Sequence, residues 1–381
     1  AAGPVFVGGP WVNIDGHLMG GRRRDITRIL CTVYSPAHFF DFRPLFEALR
    51  ADPVTEILVS RGVSTTDETL RPHRDAAAMY SSFDLPAGTV VDADDLPDLD
   101  VDVLVSASTK PLTPGSYGQS VQIFHGLSFR NRAIRSVNTA YDHYMMLGPY
   151  MRRTFERRGI MPPGDPRVAQ IGFPKTDRLV NGTLDRSSVL RDIGFSGERP
   201  VVMFAPTGAH GNAMELFGED LINAFSASGE YDLLVKPHDH AKASINWFQR
   251  LGHLEGEHVR LLRTFDSVPA MYAADVLISD ASSIANEYLL LDRPLIFLDV
   301  PTLLASAAGE DDRLDLYTWG RKGGTVVRNF AEAQRAVADG LANPHAQTQI
   351  RTAISRDLFP NPGTATVPAL AWSPPEARSG A

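Results

Sequence analysis

The strongest chemical signal in the chain lies between Val276 and Asp299, which read VLISDASSIANEYLLLDRPLIFLD. An apolar run, a Ser-rich turn, an amphipathic stretch and a second apolar run spell strand, turn, helix and strand. Ser282 and Ser283 fall where the helix begins, and a helix start offers unpaired backbone N–H groups and the positive end of a dipole. Such a turn is suited to an anion. Glu287 stands one helical turn further on, where a carboxylate can reach a ribose hydroxyl if the turn holds phosphates. The ligand that suits these residues is a nucleoside diphosphate derivative. The plain alternative is an ordinary βαβ unit in which Ser282 caps the helix and Glu287 is a solvated charge.

Other chemistry-bearing residues also follow apolar runs. His125 ends VQIF and is succeeded by Gly126; a histidine there can take a proton at neutral pH, or can be hydrogen-bonded in a loop for structural reasons. Lys236-Pro237-His238 closes the run before it, and its two cationic side chains can neutralise charge on a phosphate or a departing nucleotide. The adjoining Asp239 and His240 raise the question of a metal, but no second ligand cluster accompanies them, so no metal is expected and His240 reads as a solvated loop residue. Thr207 and Gly208 can offer a hydroxyl and backbone N–H groups to phosphate oxygens, or form a plain Gly-rich turn. Arg130, Arg132 and Arg135, then Arg152, Arg153, Arg157 and Arg158, concentrate positive charge. They can meet an anionic acceptor or membrane surface, or be a solvated face in which Arg152, Arg153 and Glu156 partly compensate one another. The patterns GxxxxGK[ST], GxGxxG after a strand, and GxSxG are absent, which disfavours an NTPase, a nicotinamide enzyme and a serine hydrolase.

The elements that would position these residues alternate. Strands are expected at Ile29–Val33, Glu56–Val59, Val101–Ser106, Val121–Phe124, Tyr144–Leu147 and Val168–Ile171, with a helix at Phe40–Arg50 and another opened by Pro149 and closed by Gly159. A second alternation gives strands Val201–Ala205, Asp232–Lys236 and Val259–Leu262 and helices Glu215–Ser226, Ala243–Leu251, Val268–Ala274 and Phe330–Leu341, with a last helix from about Gln347. Alternation of this kind implies α/β architecture with parallel, doubly wound sheets. The expected domains are 1–180 and 181–358, two facing Rossmann-like halves whose ligands bind beyond the strand ends in an interdomain cleft. Residues 359–381, with Pro360, Pro362, Pro368, Pro374 and Pro375, are expected to be extended, with a partly disordered end.

Composition narrows the class. The 381 residues carry a formal charge of −8, which argues against nucleic acid as a partner. The single cysteine, Cys31, sits in an apolar run as a small core residue, and a reducing cytoplasm suits it. No stretch is long and apolar enough to span a bilayer. The chain opens at Ala1 without a methionine, which leaves room for residues upstream.

Taken in order, the segments resemble the CDP-glycerol glycerophosphotransferase family, the teichoic-acid-type polymerases and primases of GT-B fold. His125-Gly126-Leu127 resembles its His-Gly-Thr segment and Gly172-Phe173-Pro174-Lys175-Thr176-Asp177 its Gly-(Tyr/Phe)-Pro-Arg-Asn-Asp segment. Pro206-Thr207, Lys236-Pro237-His238 and Ser279-Asp280-Ala281-Ser282-Ser283 are similar to three further family segments. Leu127, Ala281 and Glu287 depart from the family's threonine, aromatic residue and more usual aspartate. The resemblance implies a transferase with no cofactor and a nucleotide-linked donor, CDP-glycerol above all. His125 and His238 would be catalytic, and Thr207, Gly208, Lys236, Asp280, Ser282, Ser283 and Glu287 would hold the donor. Gly126, Arg130 and Arg132 would meet a glycan, lipid-linked or polyol-phosphate acceptor, in the cytoplasm with peripheral contact at the inner face of the membrane. A nucleotide-sugar glycosyltransferase, a UDP-GlcNAc 2-epimerase-like enzyme and a non-catalytic binding module of a larger polymerase stand as alternatives.

Overall fold

The computed structural model describes residues 26–61, 75–108, 111–136, 140–238, 245–309 and 313–371. The elements run β1 (Thr27–Val33), α1 (Pro36–Arg50), β2 (Thr55–Arg61), α2 (Ala76–Tyr80), β3 (Asp100–Ser106), β4 (Ser116–Ile123), β5 (His143–Met146), α3 (Pro149–Arg157), β6 (Val168–Gln170) and α4 (Asp177–Val180). They continue with α5 (Arg186–Ile193), β7 (Val201–Phe204), α6 (Ala213–Ser228), β8 (Asp232–Val235), α7 (Trp247–Leu251), β9 (Val259–Leu261), α8 (Val268–Ala273), β10 (Val276–Ser279) and α9 (Ile284–Tyr288). β11 (Leu295–Leu298), α10 (Pro301–Ala308), β12 (Thr325–Val327), α11 (Phe330–Ala342), α12 (Thr348–Leu358) and α13 (Thr366–Ala371) complete the chain. Two compact units result. The first takes the chain up to His125, Ala133–Asp177 and everything from Phe359; the second takes Gly126–Arg132 and Arg178–Leu358.

In the first unit the strands lie in the order β2-β1-β3-β4-β5-β6, and every pairing is parallel. β1 has earlier β2 on one side and later β3 on the other, so the winding direction reverses between β1 and β3. Open parallel sheets bind ligands beyond the carboxyl ends of the strands at such a reversal. Ile29, Cys31, Val33, Val103, Val105 and Val121 pack with Phe39, Phe42 and Phe46 of α1 into one core. Cys31 is a buried member of it, and burial pushes its thiol well above the usual range. Helix α1 starts at Pro36 rather than Phe40: Ser35 is its N-cap and Pro36 its first residue, where the missing N–H costs nothing.

In the second unit the order is β12-β11-β10-β7-β8-β9, again parallel throughout, with the reversal between β7 and β10. All four residues of β7, β8, β10 and β11 are buried, as expected of strands covered on both faces. α5, α10 and β12 lie where no element was anticipated. The helix expected at Ala243–Leu251 is observed from Trp247, Ala243 itself lying outside the described residues.

The segment after Phe359 is not extended, contrary to expectation. It returns to the first unit and forms α13, because groups far back in sequence anchor it. The Asp177 carboxylate accepts from Ala365 N (2.7 Å), Thr366 N (2.9 Å) and Thr366 Oγ1 (2.7 Å), satisfying the orphan donors of the helix start. Asn361 Nδ2 donates to Ile171 O at 3.2 Å, and Phe359 stacks on Phe173. Gly172, at φ +92°, has the Pro360 carbonyl where a Cβ would project, so only glycine lets the returning chain pass. Pro368 sits in the first turn of α13, where proline is tolerated. The terminal prolines Pro374 and Pro375 lie outside the described residues.

Candidate active site

In the first unit, His125 stands just past the end of β4. Because β1 pairs with β3 and β3 with β4, the turns that follow these strands are neighbours. Tyr34, one residue past β1, brings its hydroxyl to 3.2 Å from His125 Nε2. His38, in the first turn of α1, sets its ring edge-on to His125, with centroids 4.6 Å apart and planes at 88°. Tyr34 and His38 are themselves in ring contact at 3.8 Å, and Ser35 Oγ holds His38 Nδ1. The residue His125 is half-buried, but its Nδ1 is fully covered and lacks good hydrogen-bond geometry. Burial pulls its pKa down from 6.5 to about 4; the Ala107 carbonyl opposes this, and the charges of Lys175 and Arg135 add to it. The imidazole is therefore neutral at physiological pH, as a proton acceptor must be. Lys175 is fixed by an ion pair with the buried Asp41 at 3.3 Å.

In the second unit, one carboxylate ties together the loops after β7 and β10. Asp280 Oδ1 accepts from Thr207 N (2.8 Å) and Ala281 N (2.6 Å), and Oδ2 accepts from Ala213 N (3.0 Å). Burial raises the Asp280 pKa, opposed by the amides of Ala213, Thr207 and Ala281 and by the charge of Arg130. Arg130 completes the tie. Its Nε donates to Ala281 O at 3.2 Å and a terminal nitrogen to Thr207 Oγ1 at 2.8 Å.

Arg130 belongs to the segment Gly126–Arg132, which the second unit holds along its length. Asn286 Nδ2 donates to Leu127 O at 2.6 Å, Asp315 N to Phe129 O at 2.8 Å, and Asn131 Nδ2 to Arg313 O at 2.9 Å. Gly126, at φ +119°, opens the segment. A Cβ there would lie 3.1 Å from Ser283 Oγ and 3.7 Å from Glu287 Oε1, so glycine allows the backbone to pass close to the β10–α9 turn.

Residues 119–360 match the family described as CDP-Glycerol:Poly(glycerophosphate) glycerophosphotransferase. The chain belongs to this family. It is accordingly a transferase of the glycerophosphotransferase type. No curated protein sequence matches the chain. Among solved structures, the wall teichoic acid polymerase TagF is similar at TM-score 0.62 and 16% identity, over 89% of this chain and 86% of that one. A putative UDP-N-acetylglucosamine 2-epimerase from Listeria monocytogenes is similar at TM-score 0.57 and 12% identity, over 91% of this chain and 95% of that one. The UDP-GlcNAc 2-epimerase from Neisseria meningitidis, bound to UDP-GlcNAc, gives 0.51 and 13%, over 87% and 99%. These likenesses establish a GT-B-like α/β fold, the α/β architecture having been expected from the alternating elements and GT-B from the family resemblance.

Within this glycerophosphotransferase the anticipated residues fall into several groups. Thr207, Asp280, Ser283 and Glu287 come together with Gly126 and Arg130 in the second unit. Gly126 and Arg130 were expected on the acceptor side; they lie instead with the anticipated donor loops, because the chain enters the second unit immediately after His125. Glu287 is 1% exposed, so it is not a solvated charge. Ser283, not Ser282, is the N-cap of α9, and it makes no side-chain cap. The helix it opens has only five residues, so its dipole is much smaller than a full-length helix would supply. Asp280 is 1% exposed and accepts from three backbone amides, so it shapes the loops rather than presenting a free carboxylate. Gly208 is buried, and Ser282 and Arg132 are half-buried. At the end of β8, Lys236 is buried and His238 exposed, while Asp239 and His240 lie outside the described residues. Among the described residues no cluster of three His, Cys, Asp or Glu could hold a metal, and no helix is long and apolar enough to cross a membrane. Arg152 pairs with Glu156 at 3.0 Å, so part of the basic stretch is self-compensated. The sequence reading missed Tyr34, His38, Asn286 and Asn131. For the first two the signal was available: polar ring side chains directly after the first strand, at a sheet reversal.

Proposed function

We propose that this glycerophosphotransferase moves a glycerophosphate group from CDP-glycerol to a hydroxyl of a polymeric or lipid-linked acceptor, with His125 as general base. The observation that carries the reading is covalent. His125, a neutral imidazole at a strand end, is peptide-bonded to Gly126, whose α-carbon abuts the Ser283 turn.

In the reaction the acceptor O–H gives up its proton as its oxygen bonds to the β-phosphorus. The bond from that phosphorus to the bridging oxygen breaks, and CMP departs carrying the negative charge. Thr207, Gly208, Ser282, Ser283, Lys236 and His238 are assigned to the phosphates, where fixed donors and cations stabilise charge as it develops. Glu287 is assigned to the donor beside Ser283. Arg130 and Asp280 act by holding the Thr207 and Ala281 loops in place. Arg132, next along the same segment, is assigned to the acceptor. We assign the reaction to the cytoplasm at the inner face of the membrane, on the single buried cysteine and the nature of the acceptor.

The test is CMP release from CDP-glycerol with a short poly(glycerol phosphate) acceptor, beside calorimetric titration with CDP. His125→Ala is expected to lose about 10²–10⁴-fold in turnover while CDP still binds. A His125→Ala enzyme of undiminished turnover, or a wild type that does not bind CDP, refutes the reading.

A further inference from the structure

The turn Tyr34-Ser35-Pro36-Ala37-His38 is the most chemically loaded part of the first unit outside the residues assigned above. The geometry points to Tyr34 as a catalytic residue that relays the acceptor's proton to His125, with His38 as the positioning residue behind both rings. This rests on His125 being the base.

The argument begins with which nitrogen is available. His125 Nδ1 is covered, so only Nε2 can exchange a proton with a substrate. The Tyr34 hydroxyl already occupies that nitrogen at 3.2 Å. An acceptor hydroxyl that approaches Nε2 therefore meets the phenol first. The Tyr34 contact fits either tautomer of the ring, and the relay requires the one with its proton on the covered Nδ1. Nε2 then holds the lone pair, and Tyr34 donates to it.

The step balances without any further reactant. The acceptor O–H proton passes to the Tyr34 oxygen while the Tyr34 proton passes to His125 Nε2. The acceptor oxygen bonds to the β-phosphorus, and the bridging bond breaks to release CMP. The imidazolium later returns its proton to water by the same route. A phenol, with an ordinary pKa of about 10, lies between an alcohol and an imidazolium and can pass a proton without standing as a free phenolate.

Both partners are held for this. Tyr34 lies against His38 at 3.8 Å with planes 36° apart, and His38 meets His125 edge-on at 4.6 Å. Ser35 Oγ fixes the His38 ring through Nδ1. The other charges that act on His125 are Lys175, itself paired with Asp41, and Arg135.

Tyr34→Phe keeps the ring on His38 and removes only the hydroxyl. With CDP-glycerol and a short poly(glycerol phosphate), kcat is expected to fall about 100-fold with the donor KM within about twofold. A variant within about threefold of wild-type kcat, or faster, overturns the relay and makes the tyrosine a plug or a packing group. His125→Ala is run in parallel: an active His125→Ala sinks the base itself, whereas an inactive His125→Ala beside an active Tyr34→Phe sinks only the relay. A measurement independent of turnover is the ¹⁵N spectrum of the His125 ring at neutral pH, assigned by its loss in His125→Ala. Protonated Nδ1 with bare Nε2, the latter shifting in Tyr34→Phe, is expected; protonated Nε2 overturns the relay.

Discussion

Replacing Asp280 by asparagine tests whether one carboxylate organises the second unit's loops. Its two oxygens take three backbone amides, from Thr207, Ala281 and Ala213. Asparagine can place its carbonyl oxygen where Oδ1 stands and keep the first two. Its NH2 then faces the Ala213 N–H, donor against donor, which strands a buried amide at about 1–3 kcal/mol. The two retained bonds lose their charge assistance, roughly another 1 kcal/mol each. Part of this is returned, because burial disfavours the charged carboxylate in the first place, as its raised pKa records. The net is a loss of about 2–3 kcal/mol, a large share of a typical folding free energy of about 5–15 kcal/mol. Urea unfolding should show the second unit's transition at lower denaturant. CDP titration of the folded variant should show weaker binding, because the Thr207 and Ala281 amides are then held only by weaker, neutral bonds. Wild-type unfolding together with wild-type CDP affinity would refute the tie.

Three further outcomes follow from His125 and Gly126. Gly126→Ala forces a side chain into φ +119° and to 3.1 Å from Ser283 Oγ; a destabilisation of about 1–3 kcal/mol and a fall in kcat are expected, and an unchanged melting point with full turnover would count against the close approach. The pH profile of turnover should stay level from pH 8 to 5 and lose half its value near pH 4, since protonation silences the base at the lowered pKa of about 4; a half-point near 6.5 would show the imbalance of burial to be wrong. The stability sign follows from the same shift. Between 6.5 and about 4 the unfolded chain takes the proton first, so stability falls as pH drops through that window and levels off below it. The loss is at most about 3 kcal/mol, and less because the ring is only half-buried.

The alternating elements were legible because parallel strands buried on both faces must be apolar runs, as in VVMF and LIFL of β7 and β11. The residues at strand ends were legible for the same reason, since polar groups that abruptly follow such runs stand where ligands bind. What stayed hidden was set by contacts distant in sequence. Asp177 reaches Ala365, Asn286 reaches Leu127, and Arg130 reaches Thr207; no periodicity encodes such pairings. The proline-rich end read as extended because prolines do not propagate a helix, yet Asp177 supplies a cap from elsewhere and Phe173 a stacking partner. Ser35-Pro36 was a readable helix start that outweighs the apolar pattern beginning at Phe40. The Gly172–Asp177 segment was quoted for its resemblance to a family motif, and its glycine, phenylalanine and aspartate each turn out to hold the returning end of the chain.

The two sheets reverse their winding between β1 and β3 and between β7 and β10, and each reversal carries a polar cluster: Tyr34 with His125 in one, Thr207 with Asp280 in the other. A single peptide bond passes from His125 to the segment that Arg130 and Asn286 fasten to the second cluster. Anything that moves the Thr207 and Ala281 loops must therefore strain or release Arg130. With the donor assigned to these loops, a variant that loosens them should raise the donor KM.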